Sequence, residues 1–281
     1  MLSIIICSRN QKISNRLIKN IEKSVGCKYE LIIVDNSENK YSIFEAYNLG
    51  IKKSNYEYLC MIHDDIHFVT IGWGNVVSQI FDDDDKIGLI GVAGAKVKSK
   101  MPSAWWDNFE GQNVIHIIQH KKGQEKEIHN YGFDKEQHVN VVVIDGVFMA
   151  MRKDKRIFFN TKMTGYHTYD LNISFEFKKY GYNIIVTNKI LLEHFSSGVI
   201  DKNWIHASYK IHNLYRKNLP LFVFGNIVTR NHEIINAQRF IDKSMDLGYK
   251  KIAISVWFQL FLLQPISKYN FRFWKNILKS Y

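Results

Sequence analysis

YLCMIHDD, residues 58–65, is a short apolar run that ends in a histidine and two aspartates. Its first five residues have the length and unbroken apolar character of a strand buried on both faces. Two earlier runs end the same way. Leu2 to Cys7 leads into Ser8-Arg9-Asn10, and Glu30 to Val34 leads into Asp35-Asn36-Ser37. Helical spacing separates them: Leu17, Ile18 and Ile21 mark a helix from about Ile13 to Ser24, and Tyr47 and Ile51 mark another from about Tyr41 to Lys53. Strand, helix, strand, helix, strand implies right-handed crossovers and an α/β fold with a doubly wound, mainly parallel sheet. In such a sheet the carboxyl ends of neighbouring strands share one rim, where ligands bind. Ser8, Asp35 and the Asp64-Asp65 pair are therefore expected in one cleft, as a site for a metal-bound phosphate compound.

The later pattern extends this scheme. A helix is expected over Gly72 to Phe81, a solvated turn at Asp82 to Asp85 and a buried strand at Ile87 to Val92. Pro102 to Gln137 has no clean period, although Val114 to Gln119 fits one strand of a small hairpin; the segment is a candidate lid. Val139 to Ile144 reads as one strand broken by Asp145-Gly146, followed by a strand from Val147 to Arg152. A helix over Tyr169 to Tyr180 meets Gly181, which suits a left-handed cap. Ile184 to Thr187 and Ile190 to Glu193 are short strands, and Trp204 to Lys217 is a helix. From Asn231 the pattern is helical, with breaks at Leu247-Gly248 and near Pro265.

The 281 residues suffice for one large α/β domain with an appendage. With 46% hydrophobic and 23% charged residues, wholesale disorder is excluded. The formal net charge of +11 suits a phosphorylated substrate, anionic lipid or nucleic acid. No RNA-binding or helix-turn-helix signature accompanies it. A generally basic surface is expected, with clusters at Lys96-Lys98-Lys100, Lys121-Lys122 and Arg152 to Arg156. Cys7, Cys27 and Cys60 are odd in number and lack CxxC spacing, so they read as reduced thiols of a cytoplasmic protein. No secretory leader is expected, since a strand begins at once. Ile252 to Leu263 is apolar but shorter than the roughly 20 residues that span a bilayer.

Hard divalent cations prefer carboxylate oxygens. Adjacent residues of an extended chain point opposite ways, so one of the pair takes the metal, here assigned to Asp65, and Asp64 holds ribose or loop groups. His63 and His67 are expected to pack the loop. Ser8-Arg9-Asn10-Gln11 contains no glycine, which argues against a dinucleotide-binding turn or an ATP-type phosphate loop.

Taken in order, SIIICSRN (3–10), LIIVDNS (31–37), AYNLGI (46–51), YLCMIHDDI (58–66), VIDGVFMAMRK (143–153), YHTYDLNISFEFKKYGY (166–182) and EHFSSG (193–198) resemble the GT-A glycosyltransferases of family 2, in particular a bacterial glycosyltransferase-like subgroup. The resemblance runs from about Leu2 to Leu221. It implies a GT-A catalytic domain over 1–221, with a nucleotide-binding half (1–100) and an acceptor-binding half (101–221). A helical C-terminal extension (222–281) lies outside it. It further implies that Ser8, Arg9, Asp35, Asn48, Gly50 and Asp64 surround the nucleotide, and that Asp65 and His194 meet a Mn²⁺ or Mg²⁺ ion. Asp145 and Gly146 would border sugar and acceptor, and Asp170 would be the catalytic base. Trp105-Trp106 is either a stacking floor for the acceptor or core. The implied activity is an inverting, metal-dependent transfer of a hexosyl or N-acetylhexosaminyl group from a UDP-sugar. The acceptor would be a glycan or a lipid-linked glycan of bacterial surface polysaccharide or glycoconjugate synthesis.

One departure stands out. Many relatives carry a second acidic residue two positions after the base, where this chain has Asn172. Two other readings stay open: a nucleotidyltransferase, or a sugar-nucleotide or glycan binding protein that has lost turnover. Asp170 itself could be a helix cap. The C-terminal stretch mixes Trp257, Phe258, Phe261, Phe271, Phe273 and Trp274 with Lys250, Lys251, Lys268, Arg272, Lys275 and Lys279. That mixture suits either peripheral contact with the inner face of a membrane or packing against the catalytic domain.

Overall fold

The structure is a computed structural model that describes residues 1–121, 123–196 and 198–279. Lys122 of the expected basic cluster and Ser197 of the EHFSSG motif lie outside the described residues. The first half runs β1 (Leu2–Ser8), α1 (Asn15–Ser24), β2 (Tyr29–Asp35), α2 (Ile43–Lys53), β3 (Tyr58–Ile62), β4 (Ile66–Phe68), α3 (Trp73–Asp83), β5 (Ile87–Gly91), β6 (Ala93–Ala95) and β7 (Val97–Lys98). It continues with β8 (Asn113–Gln119), β9 (Glu127–Tyr131), β10 (His138–Val141), β11 (Val143–Ile144), β12 (Phe148–Arg152), α4 (Tyr169–Lys179), β13 (Asn183–Thr187), β14 (Leu192–His194) and α5 (Lys202–Leu214). The chain closes with β15 (Leu221–Phe222), α6 (Arg230–Asp246), α7 (Lys250–Leu263) and α8 (Lys268–Lys279).

The central sheet has the order β10-β13-β5-β12-β3-β1-β2. β1 pairs parallel with both β2 and β3, and β5 with β13, while β12 runs antiparallel between β3 and β5. Alternation along β1 builds both faces. Ile4 and Ile6 join Leu17, Ile21, Trp73 and Phe81 of α1 and α3. Ile5 joins Phe44, Tyr47 and Ile51 of α2, with Leu171 and Phe175 of α4. Ser42 caps α2 in a reciprocal capping box with Glu45, and Ser14 caps α1.

A second sheet, β11-β6-β8-β14-β4, with β9 on β8, lies across the carboxyl edge. The hairpin expected around Val114 to Gln119 is β8 with β9. Two expectations change here. Val139 to Ile144 is not one strand: β10 belongs to the central sheet and β11 to the second. Val142 turns the chain between them, its N–H donating to the Ala95 carbonyl at 2.8 Å. The strand expected at Ile190 to Glu193 begins only at Leu192, because the Leu191 backbone is bound to Val69 and Thr70 instead.

Lys98 also differs from its expected place on a basic surface. It is 1% exposed, and its ammonium donates to the carbonyls of Ser103 (3.0 Å) and Ala104 (3.2 Å) and to the Ser103 hydroxyl. Burial lowers its pKa to about 8. A third core joins Met101, Trp204 and Ile205 to Phe240, Ile241, Val256, Leu260, Phe273 and Ile277, so α6 to α8 are seated on α5. Among the described residues no helix is long and apolar enough to cross a membrane.

Candidate active site

Parallel pairing sets the rim. Ser8 lies opposite Asp35, and Ile5 lies opposite Met61. Extending the second register by three residues brings Ser8 level with Asp64, and the Ser8 hydroxyl donates to Asp64 Oδ2 at 2.7 Å. Antiparallel β12 starts where β3 ends, with Phe148 opposite Ile62. That polarity carries the preceding Asp145-Gly146 turn to the same rim. β14 runs antiparallel to β4 with His194 opposite Ile66, and parallel to β8 with His194 opposite Gln119. The Phe195 N–H donates to the Asp65 carbonyl at 3.1 Å. Residues more than a hundred positions apart therefore meet.

His63, Asp65 and His194 form a cluster whose ligand atoms all lie within 4.8 Å of one another. His63 Nδ1 and His194 Nε2 each stand 3.7 Å from Asp65 Oδ1. The outer nitrogens are held: His194 Nδ1 faces Gln119 Oε1 at 3.0 Å, and His63 Nε2 faces the Tyr169 hydroxyl at 2.5 Å. Such partners fix the tautomer that turns the other nitrogen inward. Burial and the nearby His63 lower the pKa of His194, which favours the neutral, ligating form. Two imidazoles and a carboxylate fit a divalent cation. The expectation that His63 packs the loop gives way to this placement. Replacing Tyr169 by Phe is expected to weaken metal binding about 10- to 100-fold while the fold survives; Mn²⁺ titration followed by thermal shift checks it. Gly146 makes room for this tyrosine, since a Cβ there would lie 2.3 Å from the Tyr169 hydroxyl oxygen.

The cluster opens on a cleft of ≈1890 Å³. Arg9, Asp64, Asp65, Trp105, Trp106, Asp145, Gly146, Asp170 and His194 line it, as do Tyr166 and the α5 residues Trp204, His206 and Lys210. Arg9 lies over the Tyr166 ring at 4.7 Å. Trp105 is buried and donates its indole N–H to Asp145 Oδ2 at 2.7 Å, whereas Trp106 is 42% exposed. Asp145 Oδ1 accepts the Val147 N–H at 2.8 Å. Thr168, a buried residue of the lining, has a hydroxyl without a hydrogen-bond partner among the described residues.

Asp170 sits in the first turn of α4, and Thr168 is the N-cap. Its Oδ1 accepts the Leu171 N–H at 2.8 Å. Burial, reinforced by the charge of Asp145, raises its pKa to about 7.

Ser8, Asp35, Asn48 and Gly50 are not among the lining residues. Asp35 stands exposed on the rim, where the Ser37 N–H at 2.9 Å holds its carboxyl below the usual range. Asn48 clamps the Phe159 backbone with both amide atoms, at 2.7 and 2.9 Å. Gly50 lets α2 lie against β1, since a Cβ there would stand 2.3 Å from Ile5 Cγ2. Asn172 is fully buried away from the cleft. Its oxygen accepts the Asn160 N–H at 2.9 Å, and its amide donates at 2.8 Å to the Tyr215 hydroxyl, which in turn donates to Glu176 at 2.5 Å. An aspartate there would face the Tyr215 oxygen with no donor. Asn172→Asp is expected to cost about 1–3 kcal/mol of stability, measured by urea unfolding.

The chain belongs to the glycosyltransferase-like family, whose family model matches residues 3–223. A search of curated proteins finds no match. Among solved structures, residues 1–349 of S. aureus TarS share 12% identity at a TM-score of 0.51, over 88% of this chain and 72% of that one. GalNAc-T7 with UDP, GalNAc and Mn²⁺ shares 10% identity at a TM-score of 0.54, over 94% of this chain and 56% of that one. At these identities the likeness shows the fold.

Proposed function

We propose that the protein is a divalent-metal-dependent, inverting glycosyltransferase. It moves a hexosyl or N-acetylhexosaminyl group from a UDP-sugar to a glycan or lipid-linked acceptor, in bacterial surface polysaccharide or glycoconjugate synthesis on the cytoplasmic side. One observation carries the reading: a three-residue cation cluster and a carboxylate with a pKa near 7 open on the same cleft. GalNAc-T7, which shares the fold, holds UDP and Mn²⁺. The cleft exceeds the roughly 300–1,000 Å³ of a single small-ligand site, which leaves room for donor and acceptor together.

His63, Asp65 and His194 hold the cation, and their two imidazoles favour Mn²⁺ over Mg²⁺. The bound cation supplies charge neutralisation to the departing diphosphate. Arg9, Asp35 and Asp64 hold the nucleotide, with Ser8 fixing Asp64 from behind. Asp145, itself fixed by Trp105 and Val147, orients the sugar, and exposed Trp106 offers the acceptor an aromatic face. Asp170 takes the acceptor hydroxyl proton as that oxygen attacks the anomeric carbon opposite the diphosphate. The carbon–oxygen bond to the diphosphate breaks, and one attack gives inversion.

The test is a panel of sugar nucleotides in a thermal-shift assay with Mn²⁺, Mg²⁺ or chelator. A UDP-sugar is expected to raise Tm only with a divalent ion. A panel in which no nucleotide shifts Tm under any condition overturns the reading.

A further inference from the structure

We propose that the outer face of α7 and α8 docks on an anionic lipid surface. The inner faces of both helices are already used: Ile252, Ala253, Val256 and Leu260 of α7, and Tyr269, Phe273 and Ile277 of α8, are buried. The outer faces are nonetheless apolar. Phe258, Phe261 and Leu262 recur at helical spacing along α7, and Phe271, Trp274 and Leu278 along α8. Phe258 is 57% exposed, Phe271 78%, and Ile266 of the connecting turn 91%. The two surfaces are joined through Trp257. Its ring stacks on Phe273 at 5.5 Å and 8°, and meets Phe261 and Trp274 at 5.3 and 5.0 Å. An apolar surface of this extent on a folded protein marks an interaction site.

Charge decides what covers it. From Leu247 to Tyr281 the sequence contains no Asp or Glu, while Lys251, Lys268 and Lys275 stand exposed on these helices. A second copy of the chain, related by a two-fold axis, would bring these cations face to face. Anionic headgroups complement them, and apolar side chains between cations are what an interfacial helix inserts at the acyl boundary. Docking rather than spanning follows from the lengths of the helices.

The packed side of α7 also adjoins the cleft wall. Tyr209 of α5 bonds Ser255 of α7 at 2.7 Å, and His206, which lines the cleft, meets Tyr249 at 4.5 Å. A docked molecule would hold the α5 end of the cleft near the lipid, where a lipid-linked acceptor waits. That last step rests on the sugar-transfer reading; the docking itself does not.

The experiment is flotation of the full chain with phosphatidylcholine vesicles, with and without phosphatidylglycerol. Binding is expected only with phosphatidylglycerol, and should weaken about tenfold or more at about 0.5 M salt. Phe258→Ser/Phe271→Ser and Lys251→Glu/Lys275→Glu are each expected to weaken it about tenfold or more, with Tm and the nucleotide-induced Tm shift unchanged. Failure to float with anionic vesicles at low salt overturns the proposal. So does flotation of both variants as complete as the parent's, or a dimer in light scattering that the Phe258→Ser/Phe271→Ser variant splits. Flotation without any sugar-nucleotide binding would leave the docking standing and remove the transfer reading.

Discussion

Asp170→Asn is expected to lower turnover by about 10²–10⁴-fold while leaving metal-dependent donor binding intact. Asparagine keeps the shape and the carbonyl oxygen that accepts the Leu171 N–H, but it cannot take a proton from an acceptor hydroxyl. In the parent protein, burial and Asp145 hold the Asp170 pKa at about 7. The basic form grows as pH rises, so the rate should climb with pH and level off above about 7; the variant's residual rate should lack this limb. Stability runs the other way. The folded pKa lies above the unfolded value of about 3.9, so the native state binds the extra proton between the two. The stabilisation from that proton is full below about pH 4 and is lost as pH rises through 7. The variant should therefore melt at or above the parent's Tm at pH 8. Unchanged transfer by Asp170→Asn would remove the base assignment, and a flat pH profile in the parent would remove its tuning.

Much of this site is legible from polarity alone. Apolar runs that each end in polar residues place Ser8, Asp35 and Asp64 on one rim, because parallel strands end together. Register then adds the bond between Ser8 and Asp64. Asp145 reaches the rim through the opposite rule, at the start of an antiparallel strand, which a run of hydrophobic residues does not reveal. His63 is harder to read. A strand that ran on past Ile62 would put His63 and Asp65, two apart, on one side, but the backbone bends at Asp64 and Asp65. What turns that pair into a cluster is His194, delivered by pairing between β14 and β4. Each has three residues, too few to leave a period in the sequence. Lys98 misleads for a related reason: a two-residue strand can bury a lysine among carbonyls with no apolar pattern to announce it. Asn172 reads in the sequence as a lost acid, yet it sits in a network that uses both its donor and its acceptor. Long-range partners of that kind, such as Tyr215, are set by tertiary packing rather than by local spacing.

Asp65→Ala should abolish metal-dependent donor binding and reduce turnover as strongly as any change in the cleft. Asp65 supplies the one carboxylate of the cluster, and both imidazoles converge on the same oxygen, Oδ1. Removing it leaves two imidazoles and no carboxylate in the cluster. Stabilisation of a developing diphosphate by a cation is worth several kcal/mol. At 1.36 kcal/mol per tenfold, that is a loss of about 10²–10⁴ in rate. The fold should tolerate the change, because what β14 needs from this residue is its backbone carbonyl, which accepts the Phe195 N–H. His63→Ala leaves a carboxylate and one imidazole, so it should lose less, about 10- to 100-fold in affinity, and higher Mn²⁺ should restore its rate. Calorimetric titration of Mn²⁺ and UDP into the parent and the three variants separates the roles. Asp170→Asn should titrate like the parent, His63→Ala more weakly, and Asp65→Ala not at all. Parent-like titration by Asp65→Ala would move the cation elsewhere, and the assignment of the diphosphate to this end of the cleft would move with it.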